Sequence, residues 1–114
     1  SGNAEKSGDL NRRKEHCHNM LTHIVCFKLK DSSPEQVRAL RDKLAGMEGK
    51  IPELLHIEVG IDVVRSERSY DVVLVTKFRS LEDLKAYQVH PEHLKVVEYI
   101  NTVKESTISV DYES

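Results

Sequence analysis

The segment Tyr87-x-x-His90-Pro91-x-His93 holds the residues of this chain best suited to proton-transfer chemistry. An imidazole gains or loses a proton near neutral pH, and a tyrosine hydroxyl can donate to a developing negative charge. Apolar residues follow His93 at helical spacing, namely Val96, Ile100 and Val103. This spacing places His93 on the inward face of a predicted helix.

Tyr87 follows Leu84 by three residues, on the inward face of the preceding helical segment. Pro91 interrupts the helix between Tyr87 and His93 and disturbs close packing there. We therefore predict a small pocket in which Tyr87 and His93 are the candidate catalytic residues, forming an acid/base pair. The alternative is that both are core residues whose polar atoms find backbone partners.

Three further residues are candidate ligand-binding residues. His23 and Phe27 share one face of the first strand pattern, which reaches the same pocket if that face looks toward the helices. His90 is a candidate because of its place in the motif, and it can equally serve as a helix N-cap before Pro91. The spacing His90-x-x-His93 suits two metal ligands, but no third ligand is indicated, so we predict no metal site.

Composition narrows the classes of function. A formal net charge of -2 over 114 residues disfavours nucleic-acid binding, which usually requires a basic surplus. No apolar run approaches the roughly 20 residues that span a bilayer. No Gly-rich phosphate loop is present, and we predict no cofactor. The two cysteines, Cys17 and Cys26, form no spaced motif, which favours a reducing, cytoplasmic compartment.

The first 19 residues differ in composition from the rest. They contain one bulky aliphatic residue, Leu10, among Gly, Asn, Ser and charged residues. Such a stretch cannot bury enough surface to offset its ordering entropy. We predict a disordered leader or expression remnant over residues 1–19 and one folded domain over residues 20–114, beginning at Met20.

The pattern of that domain alternates strands and helices. Strands are predicted over residues 22–30, 54–64, 70–78 and 106–112, from apolar residues at alternate positions. Ser33 and Ser80 predict the starts of two helices, and Pro91 opens a further helix that runs to about residue 105. The order is β-α-β-β-α-β, which predicts an α+β fold of the ferredoxin-like type with a four-stranded antiparallel sheet.

The strand patterns are apolar on both faces of this sheet. In the third strand Val72 and Leu74 face one way while Val73 and Val75 face the other, and Ile24 and Cys26 lie on the second face of the first strand. A sheet with one face in water should alternate apolar with polar residues. We therefore predict a homodimer in which a second copy of the sheet covers this face. The alternative is that Val73 and Val75 are tolerated surface residues.

Three features give the chain a resemblance to a known family. They are the opening run from His23 to Lys30, the motif Tyr87-x-x-His90-Pro91-x-His93, and the closing strand that ends in Val110-Asp111-Tyr112. Over Met20 to Glu113 the chain resembles the stress-responsive α/β-barrel (Dabb) domain family of the dimeric α+β barrel superfamily. The resemblance implies a ferredoxin-like protomer whose sheet packs on that of its partner to form a dimeric α+β barrel.

The resemblance also bears on activity. Most members of the family have no assigned activity, whereas one plant branch includes a polyketide cyclase that uses a tyrosine and a histidine of this motif. Tyr87 and His93 match that pair, and His23 matches a histidine that lines the same pocket. Val72 stands where the cyclase has a further pocket histidine, so the polar lining is incomplete.

These observations leave three hypotheses of function. The first is a dimer of unassigned activity that binds a small apolar ligand between the sheet and the helices. The second is a cofactor-independent cyclase or lyase acting on a carbonyl compound, with His93 as general base and Tyr87 as the group that stabilises the oxyanion. The third, a cofactor-free monooxygenase, rests on analogy of fold.

Overall fold

The computed structural model describes residues 19–114. The predicted leader lies outside the described residues except for Asn19, and Cys17 lies outside them too. The elements in chain order are β1 (Leu21–Leu29), α1 (Pro34–Ala45), β2 (His56–Ile61), β3 (Val72–Phe78), α2 (Leu81–Gln88), α3 (Pro91–Val103) and β4 (Lys104–Glu113).

The strands form one antiparallel sheet in the order β2-β3-β1-β4. This is the ferredoxin-like arrangement, and the fold predicted from the sequence is confirmed. In the register of β1, His23 pairs with Thr76 of β3 and with Asp111 of β4. Paired residues of neighbouring strands point to the same face, so this register decides which side chains share each face.

Strand β2 is shorter than its apolar alternation predicts. The pattern extends to Val63, but the strand ends at Ile61. Beyond it the Asp62 carboxylate accepts a hydrogen bond of 2.7 Å from the Arg65 backbone N–H, and Arg65 has a φ of 58°. This local turn competes with continuation of the strand, as short polar side chains do.

The helices begin where their capping residues predict. The Ser33 hydroxyl accepts from the Gln36 N–H at 3.4 Å, and the Ser80 hydroxyl accepts from the Asp83 N–H at 3.1 Å. His90 caps α3, with Nδ1 accepting from the backbone N–H of Glu92 at 3.1 Å. Each bond satisfies a backbone donor that lacks a partner within the first turn of the helix.

The core lies between the helices and one face of the sheet, here called the inner face. It combines alternate residues of β1 and β3 with the inward faces of the helices, including Phe27, Leu29, Val72, Leu74, Phe78, Leu40, Leu44, Leu84, Tyr87 and Val96. Both Tyr87 and Phe27, two of the candidate site residues, are therefore held by close packing against several elements.

The opposite face of the sheet, here called the outer face, carries an apolar patch. By register it comprises Ile24 and Cys26 of β1, Val73 and Val75 of β3, and Ile108, Val110 and Tyr112 of β4. The three β4 residues are 52%, 59% and 46% exposed, respectively. Strand β2 contributes His56, Glu58 and Gly60 instead, so the patch is centred on β3, β1 and β4.

A buried carboxylate ties β1 to the loop between β2 and β3. Asp71 is 2% exposed and accepts from the Leu29 N–H at 2.8 Å and from the Ser32 hydroxyl at 2.9 Å. The Arg65 guanidinium lies 3.0 Å from its second oxygen. Burial acts to raise the pKa of Asp71, but the hydrogen bonds and the charge of Arg65 together hold that pKa below the ordinary 3.8.

We expect Asp71→Asn to lower the free energy of unfolding by roughly 1–3 kcal/mol at pH 7, because charged hydrogen bonds to buried groups are lost. Since the folded-state pKa is depressed, the contribution of the carboxylate is present above about pH 3.8 and is lost as the pH falls through the folded value. Urea unfolding should show that the difference in the free energy of unfolding between wild type and variant is smaller at pH 3 than at pH 7. Asp42→Asn, at an exposed position, should change stability by less than about 0.5 kcal/mol, and a constant difference for Asp71→Asn at both pH values would contradict this account.

Candidate functional site

A cavity of about 170 Å³ lies between the inner face of the sheet and helices α1, α2 and α3. We call its fully buried lining residues, such as Leu44 and Tyr87, the floor, and its exposed or half-buried polar lining residues Asn101, Lys104 and Thr107 the mouth. The lining residues are His23, Val25, Phe27, Leu44, Met47, Leu74, Tyr87, His93, Val96, Val97, Ile100, Asn101, Lys104 and Thr107. The structure thus brings together four of the five candidate site residues.

Tyr87 lies at the floor with no exposed surface. Its ring centroid is 4.9 Å from that of Phe78, and its hydroxyl donates to Sδ of Met47 at 3.9 Å. Within residues 19–114 this thioether is the hydrogen-bond partner of the hydroxyl, and sulfur is a weak acceptor. Burial raises the pKa of Tyr87, so the hydroxyl keeps its proton at neutral pH. The cavity therefore contains a neutral donor whose hydrogen-bonding capacity is largely unused.

His93 lies beside Tyr87, with 4.3 Å between the ring centroids. Nδ1 of His93 is 3.0 Å from the backbone carbonyl oxygen of Gln88. A carbonyl oxygen only accepts, so Nδ1 carries hydrogen and Nε2 of the neutral ring has a free lone pair. Burial lowers the pKa of His93 below the ordinary 6.5, Coulombic repulsion by His23 acts the same way, and the bond to Gln88 opposes both. At neutral pH His93 is a positioned, unprotonated base.

His23 lies at the cavity wall on β1 and is held by β4. Its Nδ1 hydrogen-bonds to the Asp111 carboxylate, across the register pair of the two strands. A carboxylate so placed fixes the orientation and tautomer of the imidazole. The local sequence around Asp111 predicts no role for it, although it belongs to the closing motif Val110-Asp111-Tyr112. The contact between His23 and Asp111 can be predicted only if the register of the antiparallel pair β1 and β4 is known.

The other candidates occupy distinct places. Phe27 is buried and lines the cavity. The side chain of His90 caps α3 and is not among the lining residues. Val72 is buried on the inner face of β3 and is not among the lining residues. Over residues 19–114 no three His, Cys, Asp or Glu side chains converge as a set of metal ligands.

The arrangement can perform proton transfer on a ligand that enters the cavity. The ring of His93, which has a free lone pair on Nε2, lies next to the ring of Tyr87, which has a neutral hydroxyl donor. Both line a largely apolar cavity, where electrostatic interactions are stronger than in water. Carbonyl compounds suit this pair, because the carbonyl oxygen accepts a hydrogen bond while the neighbouring carbon carries an acidic proton.

Comparison with known proteins shows the family to which this chain is similar. Residues 21–114 match the Dabb family, described as the Stress responsive A/B Barrel Domain. The chain belongs to the Dabb family. Two stress-response A/B barrel domain-containing proteins of Arabidopsis thaliana are each 28% identical to 82% of this chain. This Dabb chain spans 46% of the first and 36% of the second, less than half the length of the curated relatives it matches.

Solved structures similar to this Dabb chain share its fold. A dimeric ferredoxin-like protein of unknown function from Bacteroides fragilis is 33% identical with a TM-score of 0.73, and the match covers 83% of this chain and 96% of that chain. A second from Thermobifida fusca is 26% identical with a TM-score of 0.75, over 84% and 92% of the two chains. The hydroxynitrile lyase of Passiflora edulis is 17% identical with a TM-score of 0.72, over 83% and 93%, and shows likeness of fold alone. Among the helices of residues 19–114, none has the length and apolar character needed to cross a membrane.

Proposed function

We propose that the cavity binds a small carbonyl compound and that the chain catalyses proton removal from the carbon next to the carbonyl group. The observation that carries this proposal is the pairing of the buried Tyr87 hydroxyl, which has a thioether as its partner, with the free Nε2 of the adjacent His93. A merely structural pair would be expected to use both polar groups in stronger hydrogen bonds.

The size of the cavity limits the ligand. An apolar protein cavity of about 150 Å³ holds one benzene molecule, and the volume here is about 170 Å³. Leu44, Leu74 and Val96 supply apolar contacts for a ring or a short branched chain. An aryl ketone of one ring therefore matches the enclosure in both size and polarity.

In the proposed step Nε2 of His93 takes the proton from the carbon next to the carbonyl. The electron pair of the broken C–H bond forms the C=C bond of the enolate, and the carbonyl π electrons move to the oxygen. The Tyr87 hydroxyl donates a hydrogen bond to this oxygen as its negative charge develops. The enolate then either takes a proton back from the imidazolium or attacks a second carbonyl carbon, which is the aldol reaction. In the aldol reaction the π electrons of the second carbonyl move to its oxygen, and this alkoxide takes the proton from the imidazolium.

Deuterium exchange tests the step without knowledge of the natural substrate. Acetophenone in D₂O exchanges its methyl protons each time the enolate forms and is reprotonated, and NMR follows the loss of the methyl signal. We expect exchange above the rate without protein and above the rate with an equal concentration of free imidazole. Binding of acetophenone without accelerated exchange would favour the alternative of a ligand-binding protein that is not an enzyme.

We expect the rate of this exchange, after subtraction of the rate without protein, to rise with pH and to level off. The unprotonated form of His93 is the active form, so activity is lost as the pH falls through the pKa of His93 in the folded protein. Because that pKa is lowered, the midpoint should lie below 6.5. A profile measured from pH 4.5 to 8 checks this, and a midpoint above 6.5 would assign the base to another group.

We further propose that the chain is a homodimer that packs through the outer face of the sheet. The patch of Ile24, Cys26, Val73 and Val75 continues into the exposed Ile108, Val110 and Tyr112 of β4. Exposed apolar patches of this kind are typical of interfaces. Similar solved structures are dimeric ferredoxin-like proteins, which supports an isologous pairing of two such faces. The cavity lies on the inner face, so the proposed interface and the proposed site use opposite sides of the sheet.

A further inference from the structure

We propose that the ligand of this cavity carries an anionic group, such as a carboxylate, and that the Lys104 ammonium at the cavity mouth binds it. This inference rests on the proposed function, because it adds a second recognition group to the same carbonyl ligand. It narrows the ligand class from aryl ketones to aryl keto acids or chemically similar anions.

The fold places Lys104 at the cavity by backbone geometry. Lys104 is the C-cap of α3 and the first residue of β4, and its backbone N–H donates to the carbonyl of Ile100. It pairs in register with Leu29, whose side chain is part of the buried core on the inner face. The Lys104 side chain is therefore directed to the inner face, where it is one of the lining residues.

The ammonium of Lys104 forms neither an ion pair nor a hydrogen bond with any group of residues 19–114. Asn101 and Thr107, which can donate hydrogen bonds, are the other polar residues of the mouth. The nearest carboxylate on the inner face of β4, Asp111, is engaged by His23. Glu105, the next residue in sequence, is exposed and is not among the lining residues. A half-buried, uncompensated cation next to neutral donors is suited to an anion.

A competing account of Lys104 is that it stabilises the C-terminus of α3. Cations near helix C-terminal carbonyls are favoured by the helix dipole. That role predicts a loss of stability on substitution but no selectivity among ligands. Ligand selectivity therefore separates the two accounts.

The positions of the groups predict the shape of the ligand. Of the three lining residues, Tyr87 is fully buried, whereas His93 and Lys104 are half-buried. The carbonyl group bound by Tyr87 is therefore assigned to the buried end of the cavity and the anion bound by Lys104 to its open end. A single aromatic ring between them places the carbonyl and the anion at opposite ends of the molecule. 4-Acetylbenzoate has this shape, and 4-acetylbenzamide is its uncharged counterpart of nearly equal size.

The experiment measures binding of both probes by NMR titration at pH 7.5 to wild type, Lys104→Met and Lys85→Met. Methionine keeps the apolar part of the lysine side chain and removes its charge. Lys85 is an exposed residue of α2 that does not line the cavity. We expect wild type and Lys85→Met to bind 4-acetylbenzoate roughly three- to tenfold more tightly than 4-acetylbenzamide, and Lys104→Met to bind the two equally. The preference of wild type should weaken with added salt.

The outcomes are distinguishable. Equal affinity of wild type for both probes, or a preference that survives in Lys104→Met, would overturn the inference while binding of 4-acetylbenzamide in the cavity still supports the proposed function. Failure of both probes and of acetophenone to bind would overturn the proposed function itself. Loss of stability in Lys104→Met with an unchanged preference for the benzoate would assign Lys104 to the helix terminus.

Discussion

His93→Ala is expected to lower the protein-dependent exchange rate of the acetophenone methyl protons by about 10²- to 10⁴-fold, the range over which a positioned general base acts. The cause is loss of Nε2, which alone of the two ring nitrogens has a free lone pair in the described geometry. Since the ring packs against Tyr87 at a tilt of 44° and lines the cavity, alanine also enlarges the cavity. His93→Gln fills more of that volume without supplying a base, and it should lose as much activity.

Tyr87→Phe tests the other half of the pair. It removes the donor while keeping the ring that packs on Phe78, and loss of one oxyanion donor lowers rates by about 10²- to 10³-fold. Because the hydroxyl has only a thioether as its partner within residues 19–114, its removal should cost little stability. NMR exchange rates and thermal unfolding, measured on the same preparations, separate chemistry from folding.

A matched histidine variant serves as control for both substitutions. His56→Ala changes an exposed histidine of β2 whose register places it on the outer face of the sheet. Its exchange rate should equal that of wild type. Wild-type exchange in His93→Ala, with acetophenone still bound in the cavity, would remove the assignment of the base. If only Tyr87→Phe lowers the exchange rate, the reaction depends on the Tyr87 hydroxyl and not on His93.

Local spacing sufficed to predict Tyr87 and His93 as neighbours. Each lies on an apolar stripe at helical spacing, and Pro91 between them forces the two helices to meet at a short break. The same kind of local signal predicted the caps at Ser33 and Ser80. Where chemistry depends on residues a few positions apart in the chain, the sequence carries the geometry directly.

The second half of the site depends on contacts between distant parts of the chain. His23 meets Asp111 across 88 positions, and the meeting is decided by the register of β1 against β4. Shifting that register by one residue would turn Asp111 to the outer face. Met47, the partner of the Tyr87 hydroxyl, comes from the end of α1, where helical spacing predicts burial but not a partner. Lys104 was unremarkable in the sequence because its direction follows from the junction of α3 with β4.

The end of β2 could not be predicted from apolar alternation, for a different reason. Its apolar alternation continues to Val63, but Val63 is 88% exposed in the loop that follows the strand. The hydrogen bond from the Arg65 N–H to Asp62, together with the tie between Arg65 and Asp71, draws the chain into a turn there. Polar side chains that bond to nearby backbone can outweigh a weak strand preference.

Val110→Asp is expected to raise the dissociation constant of the proposed homodimer by about a thousandfold or more. Val110 is 59% exposed on the edge strand β4, so an aspartate there is solvated in the separate protomer and should permit folding. In an isologous dimer each substitution occurs twice, and each buried carboxylate without a partner costs several kcal/mol. A total of about 4 kcal/mol already corresponds to a thousandfold change in affinity. Sedimentation velocity over a range of concentrations measures the shift.

Val63→Asp is the matched control, because it makes the same chemical change at an exposed loop position outside the apolar patch. It should leave the dissociation constant within about threefold of wild type, since surface charges outside an interface act weakly through screened electrostatics. A dimer equally stable in Val110→Asp and wild type would show that the chains meet elsewhere, and a monomeric wild type would refute the pairing altogether.

If Val110→Asp yields folded monomers, their acetophenone exchange rate tells whether each protomer contains a complete site. The separation of cavity and patch on opposite faces of the sheet predicts that it does, with an exchange rate per chain close to that of the dimer.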